Sequence, residues 1–527
     1  MPACSSTRRS TCSSRCAGPP LSPIRRIWDP AAGRFRPPLR FTIPEGALFP
    51  SSSELLRIAP ELILTAAATL LMMIDALGRR PRPALFSSLS AGALLVAGAG
   101  ALWAYRDPGP AFSGMVLVDG FATFFRLLVI TVGFLTVVAS HRYLRREGAD
   151  AGEYNALLLY SIVGQSVMAA GNELILIFIG LEISSISSYV LAGYLRDDRR
   201  GNEAALKYFL LGSFATAFLL YGVALIYGAA GSTSLPAIRA TIARAPGLLV
   251  AISAALMFVG IGFKVSAAPF QMWAPDVYQG APSPVAAFLS AGPKAAAFAV
   301  LLRVFLTAFE PIGSNWEPLV WISALLSMTI GNFAALMQSD VKRLLAYSSI
   351  AHAGYVLVAV TARSQVGVAA AMFYLLAYAF MNLGAFAAVT HLAGKRERYL
   401  KIEDFAGLGA KQPLTAALMA LFLLSLIGVP LTGGFFGKFY IFKAALDSDL
   451  VWLTVLALLN SAVAAYYYLR LLVVMYMNEP GEASQQLEPL TGSLRAALVI
   501  PALATLILGI FPGAVLDFAV RSTWLLR

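Results

Sequence analysis

From residue 54 onward the chain is a succession of apolar runs about 20 residues long, separated by short polar loops, and that length is what a helix needs to cross hydrocarbon. Hydrophobic residues make up 58% of the 527 and charged residues only 13%, against about 25% charged in an ordinary soluble domain. Lipid is therefore the solvent for nearly the whole chain. The expected fold is an all-α polytopic membrane protein, because only closed hydrogen bonding within each helix satisfies the backbone there.

Apolar patterning and loop signals divide the chain into about fourteen spans. They lie at roughly 55–78, 84–105, 115–140, 155–170, 172–194, 204–229, 247–275, 281–307, 317–337, 341–361, 366–394, 412–447, 450–478 and 493–517. Most of the loop Lys and Arg lies in odd-numbered loops, at Arg79, Arg142, Arg196, Lys342, Arg343, Lys395 and their neighbours. The even-numbered loops hold only Arg106, Arg239, Arg244 and Arg363. The positive-inside rule then puts the odd loops in the cytoplasm and both termini outside. Residues 1–52, rich in Ser, Pro and Arg, are expected to be a poorly ordered extension. Their arginines, from Arg8 to Arg40, conflict with an outside N-terminus. A true start further downstream resolves the conflict; processing, or a span count off by one, are the alternatives.

The formal charge of +12 does not indicate a nucleic-acid partner, since the basic residues sit in loops and not along one face. The three cysteines, Cys4, Cys12 and Cys16, precede the membrane body, which excludes thiolate-held iron–sulfur clusters there. His141, His352 and His391 are scattered, with no metal-ligand spacing. No cofactor-binding or metal residue is expected on this chain.

An ionised side chain at mid-helix costs about 2.5–3.5 kcal/mol on insertion scales, so each one inside a span is a functional candidate. Glu182 lies mid-span in GLEISSISSYVLAGY, followed by Ser184, Ser185, Ser187 and Ser188, whose hydroxyls can serve a carboxylate or a file of water. Lys207, only a few residues inside the sixth span, has a plainer alternative: snorkelling, or pairing with Glu203 one turn earlier. Lys264 lies well inside the seventh span, with Pro269 five residues on to free a backbone carbonyl near it. Lys294 directly follows Gly292 and Pro293, and Lys438 follows Pro430, Gly433 and Gly434 in a run too long for one straight crossing. Lysines beside broken helices mark ion pathways, because unwound backbone at membrane depth must line a cavity. A lysine pKa also falls on desolvation and rises beside a carboxylate, which suits an amine to proton relay. His352, near Ser348, Ser349 and Tyr355, reads either as a packing residue or as a link between the two lysine-bearing halves. Arg126 is expected to answer Asp119 on its own helix, and Arg303 and Arg470 to snorkel from span ends.

The seventh and twelfth spans are both long, broken and lysine-bearing, and lie five spans apart. An odd repeat length inverts orientation, so 155–310 and 311–478 are expected to be inverted five-helix repeats. Residues 53–154 then supply three leading helices, and 479–527 a closing loop and helix.

In FKVSAAPFQMWAPDVYQGAPSPVAAF, RLLAYSSIAHAGYVL, GVPLTGGFFGKFYIF, PELIL and DGFATFFRLLV the chain resembles the antiporter-like membrane subunits of respiratory complex I, from about residue 55 to its end. Within them it resembles subunit N of the bacterial NADH-quinone oxidoreductase: the M branch has a glutamate where Lys438 stands, and the L branch continues into a long lateral helix. The resemblance implies that Glu182 and Lys207 are a family pair, and that Lys264, Lys294 and Lys438 are the seventh-, eighth- and twelfth-helix lysines. It implies proton translocation in a bacterial inner membrane, beside other membrane-arm subunits and the quinone pool. NADH, FMN, iron–sulfur clusters and quinone would be used by the rest of the complex. A subunit of a multi-component cation/proton antiporter, or of a membrane-bound hydrogenase-like complex, is the alternative.

Overall fold

The computed structural model describes residues 50–77, 83–149 and 151–523, and two short strands before them. The expected disorder of residues 1–52, and the question of the true start, fall almost wholly outside the described residues. Before residue 50 an antiparallel pair, Trp28–Asp29 with Arg34–Phe35, is described.

A short helix, Ser52–Arg57, leads into α1 (Ala59–Leu77), α2 (Pro83–Ala104), α3 (Gly120–Glu147), α4 (Gly152–Ala170), α5 (Leu174–Ala192) and α6 (Arg199–Ala230). The seventh predicted span is split into α7 (Gly247–Val265) and α8 (Trp273–Gly280). Then come α9 (Ser283–Arg303), α10 (Gly313–Leu336), α11 (Val341–Thr361) and α12 (Gln365–Leu392). The twelfth span is likewise split, into α13 (Pro413–Ile427) and α14 (Gly433–Asp447), before α15 (Val451–Met477), α16 (Gly492–Ile510) and α17 (Gly513–Arg521). Among the described residues twelve helices are long and apolar enough to cross a membrane. Two predicted spans are not among the twelve. Helix α4 buries Asn155, Ser161, Gln165 and Ser166, which lowers its apolarity, and α13 and α14 are each half a crossing.

Acidic and hydroxyl caps set several helix starts by accepting otherwise orphaned N–H groups. Asp119 accepts from Ala122 N, Glu173 from Leu176 N, Asp340 from Arg343 N and Ser364 from Gly367 N. Two of these caps make matching backbone bridges. Glu173, at the start of the fifth span, bridges Ser234, after the sixth; Asp340, at the start of the tenth, bridges Lys401, after the eleventh. Helices α9, α11 and α12 are almost wholly enclosed and form the centre, whereas α1 and α15 lie at the rim.

Ion pairs gather the odd-numbered loops on one face. Arg142 bonds Glu488, Arg196 reaches Glu153 at 3.5 Å, and Asp276 holds both Lys207 at 2.9 Å and Arg343 at 2.7 Å. On the opposite face Arg239 meets Glu310 and Arg363 meets Glu317.

Three charge assignments made from sequence are corrected. Arg126 does not answer Asp119; it pairs with Glu61 of α1 at 2.8 Å. Asp119 instead receives Arg303, which does not snorkel: both are buried, and the Nη2–Oδ1 distance is 3.0 Å. The reason is placement. Asp119 is held at the very start of α3 by its capping bond, level with the end of α9, while Arg126 lies two turns along and faces α1. Lys342, counted with the loop cations, is fully buried against Glu397. Arg470 is exposed, as expected, and reaches Gln338 O.

Candidate functional site

Helix α7 ends where Ser266 turns left-handed (φ 60°), and Lys264 is its penultimate residue. Its ammonium donates to Tyr189 Oη of α5 at 3.0 Å. It also lies 4.9 Å from the Tyr189 ring and 5.5 Å from that of Tyr208, within the range of cation–π attraction. The backbone groups freed by the break are answered by other side chains. Trp273 Nε1 donates to Phe263 O, Ser323 Oγ donates to Ala268 O, and Ser327 Oγ accepts from Ala268 N. Trp273 in turn stacks on Tyr208 at 4.4 Å, which fixes the aromatic wall around the lysine.

The second break works differently. Helix α13 ends at Gly428, whose φ of 99° suits only glycine. From α14, Lys438 reaches back across the gap to Leu426 O at 3.0 Å and Ile427 O at 2.8 Å, and to Ser461 Oγ of α15 at 2.8 Å. The last carbonyls of a helix lack internal partners and carry its negative dipole end, so they make a neutral but favourable seat for an ammonium.

Between the two breaks lies Lys294 of α9, which donates to Ser349 of α11 through both the carbonyl oxygen (3.0 Å) and Oγ (2.6 Å). One residue earlier, Ser348 bonds Tyr468 of α15. Tyr468 contacts His352 Nε2 at 3.1 Å, and His352 Nδ1 meets Tyr374 Oη of α12 at 2.5 Å. One turn on, the Tyr355 ring lies 4.9 Å from Lys438 Nζ. A single stretch of α11 thus presents Ser348, Ser349, His352 and Tyr355 between Lys294 and Lys438.

The structure does not join Glu182 to Lys207. Lys207 is 44% exposed and binds Glu203 at 2.8 Å and Asp276 at 2.9 Å. Its place two turns into α6 lets it pair with Glu203 one turn earlier, as the plainer reading has it, and also reach Asp276 of α8. Burial acts to raise the Asp276 carboxyl, but the bonds from Lys207 and Arg343 outweigh it and hold the group below its ordinary range. Glu182 is half-buried on α5, with a buried Oε1 that has no hydrogen-bond partner among the described residues. The neighbouring serines do not serve it. Ser184 and Ser188 bond Ser161 of α4, and Ser185 and Ser187 bond back to their own helix. Tyr189, which holds Lys264, lies two turns from Glu182 on the same face of α5.

Sequence reasoning missed Tyr189, Tyr208, Tyr374, Tyr468 and Ser461. The one signal available was a tyrosine inside an apolar run, since a buried phenol needs a hydrogen-bond partner. Among the described residues no three His, Cys, Asp or Glu side chains come together so as to hold a metal ion.

Residues 171–464 match the family described as NADH:quinone oxidoreductase/Mrp antiporter, TM. Over 471 residues the chain is 67% identical to the NADH-quinone oxidoreductase subunit N 1 of Solibacter usitatus (strain Ellin6076), covering 89% of this chain and 97% of that protein. A chain in the structure of respiratory complex I from Thermus thermophilus with bound aureothin is 37% identical, with a TM-score of 0.75 over 88% of this chain and 99% of that one. A chain of the Mrp complex from Dietzia sp. DQ12-45-1b, 20% identical over 89% of this chain and 97% of its own length, shares the fold at a TM-score of 0.77. The chain belongs to the antiporter-like membrane family of NADH:quinone oxidoreductase and Mrp, and within it to the N subunits of NADH-quinone oxidoreductase.

Proposed function

We propose that this chain is the membrane subunit of an NADH-quinone oxidoreductase that carries protons across the bilayer while redox chemistry proceeds on other subunits. One observation carries the reading: Lys264, Lys294 and Lys438 are all enclosed within the bundle, and each is held by hydroxyls, carbonyls or rings and not by a carboxylate. An ammonium taken out of water without a counter-charge is costly. A neutral amine in the same seat is not, so these sites suit groups that alternate between the two forms. Charge moved against 100 mV costs about 2.3 kcal/mol, and stepping it between such sites divides that climb.

In this reading protons enter from the cytoplasm, the face of the odd loops, in a bacterial inner membrane, with both ends of the membrane body on the periplasmic side. The matching bridges at Glu173 and Asp340 support two inverted repeats, because they recur five spans apart at opposite faces. NADH, FMN, iron–sulfur clusters and quinone are handled by the partner subunits, and the other membrane-arm subunits flank this one. The test is NADH-driven proton uptake by inverted membrane vesicles carrying the complex with Lys294→Ala. Lost uptake with intact NADH oxidation by an artificial acceptor is the expected result; undiminished uptake overturns the reading. Copurification of NADH-oxidising subunits separates it from a cation/proton antiporter or a hydrogenase-like complex.

A further inference from the structure

On the odd-loop face a polar cavity of about 870 Å3 opens between loops 3, 5, 7 and 11, with Glu153, Arg196, Asp198 and Glu397 among its walls. Glu397, on this wall, reaches inward. Its Oε2 accepts from Lys342 Nζ at 2.6 Å and its Oε1 from the backbone N–H of Ser283, the first residue of α9, also at 2.6 Å. Lys342, wholly buried, further donates to Ala281 O at 2.6 Å. Tyr143 lines the same cavity, and among the described residues its buried hydroxyl has no hydrogen-bond partner. The backbone at Arg396 (φ 55°) and Glu397 (φ 48°) is left-handed, a conformation that non-glycine residues hold only where surrounding contacts enforce it.

Behind the pair, three helices turn polar atoms toward one another. Ser283, Ser290 and Lys294 fall on one stripe of α9, at i, i+7 and i+11. Asn382 of α12 donates to Ser290 Oγ at 2.5 Å. On α11, Ser349, which holds Lys294, lies two turns beyond Lys342. Among the described residues Ser283 Oγ and Asn382 Oδ1 find no hydrogen-bond partner although both are buried, which leaves each able to bind water along this line.

We propose that Glu397 takes up protons at the inner end of the odd-face cavity, and that its ion pair with Lys342 is the gate between that cavity and Lys294. The proposal rests on the reading of Lys294 as a relay group. A hydronium ion in the cavity gives its proton to the Glu397 carboxylate and leaves as water. The neutral carboxyl loosens from Lys342, and water drawn in along the Ser283–Ser290–Asn382 seam carries the proton onward, each molecule accepting one proton and giving one up, to the neutral amine of Lys294. Lys294 becomes an ammonium, and Glu397, a carboxylate again, closes on Lys342. One proton enters and one is held, so no charge is left at the gate.

The test uses inverted vesicles containing the whole complex with Glu397→Gln, Glu397→Asp or Lys294→Ala, and reads proton uptake against NADH oxidation. Gln cannot take a proton, so uptake is expected to fall roughly tenfold or more, with Asp restoring most of it. Normal uptake in the Gln variant, with uptake lost in Lys294→Ala, overturns the gate and leaves the relay standing; normal uptake in both overturns the relay as well. A second measurement does not depend on pumping. With Cys4, Cys12 and Cys16 replaced by Ser, Ser290→Cys is exposed to a small membrane-impermeant cationic thiol reagent from the odd-loop face, and modification is read on this chain by mass. It is expected to be severalfold faster when Glu397→Ala is also present. Equal rates with and without Glu397, or faster modification from the opposite face, overturn the gate.

Discussion

Lys438 sits beyond a helix break from Ile427 yet donates to its carbonyl oxygen at 2.8 Å, so the lysine itself closes the gap that interrupts its span. The amine thus has two tasks, to satisfy stranded backbone and to exchange a proton, and substitutions separate them. Lys438→Arg keeps a donor and a charge but cannot release its proton at physiological pH. It is expected to preserve assembly, seen on native gels, while abolishing proton uptake. Lys438→Met leaves the α13 carbonyls without this donor, at about 1–3 kcal/mol for each buried group stranded, and is expected to lower the melting temperature of the detergent-solubilised complex as well. Full uptake in the Arg variant would count against a proton-exchanging role for Lys438.

Among the described residues Lys264 has no carbonyl seat, and it depends on the Tyr189 phenol. Tyr189→Phe removes the accepting oxygen and keeps the ring, so the cation–π contact survives and the hydrogen bond, about 1.5–3 kcal/mol for a charged partner, does not. The expected outcome is a complex that assembles normally and takes up protons more slowly, with Tyr189→Leu slower still because the ring is lost too. Equal rates for Phe and Leu would show that the ring contributes nothing.

How much of this was legible in the sequence depends on what each residue costs in lipid. Lys264, Lys294 and Lys438 stood out because a charge inside an apolar run is expensive and each lay beside Pro or Gly; the structure encloses all three and breaks two of the spans. Tyr374 and Tyr468 gave only the weak signal of a phenol in an apolar run, which names no partner until the hydroxyl is seen to meet His352. Partners across helices were the least readable. Asp119 and Arg126 share a helix, but Asp119 is turned to its cap and to Arg303, 184 positions away. Lys207 was placed with Glu182 by resemblance alone, whereas the reach of a lysine two turns from a helix start favours the nearby carboxylates it binds, Glu203 and Asp276.

The Lys207–Asp276–Arg343 cluster gives a pH dependence with a definite sign. The Asp276 carboxyl is held below its ordinary value of 3.8; the folded state therefore binds its proton less readily than the unfolded chain does. The stabilisation is fully present above that ordinary value and is lost as pH falls below it, through the lower folded value. In melting curves of the solubilised complex, wild type should lose this share of its stability on acidification. Asp276→Asn should start lower at neutral pH and change less over that acid range. Because Asp276 is 34% exposed, solvent screening keeps the effect small, and added salt should shrink it further. Identical acid profiles for the two proteins would remove Asp276 from the account.

The contacts of Tyr468 with Ser348 and of His352 with Tyr374 form one hydrogen-bonded series, and groups in one series do not act additively. Tyr468→Phe removes the hydroxyl that touches both Ser348 and His352, and His352→Asn removes the ring that joins Tyr468 to Tyr374. If protons pass between Lys294 and Lys438 along this series, either change interrupts it, and the double variant loses little more uptake than the worse single one. If His352 only packs, the two effects are independent and the losses multiply. The measurement is the initial rate of NADH-driven proton uptake in the four members of the cycle, normalised to NADH oxidation by an artificial acceptor. Multiplicative losses would leave His352 a packing residue and require the two lysines to be joined by another route.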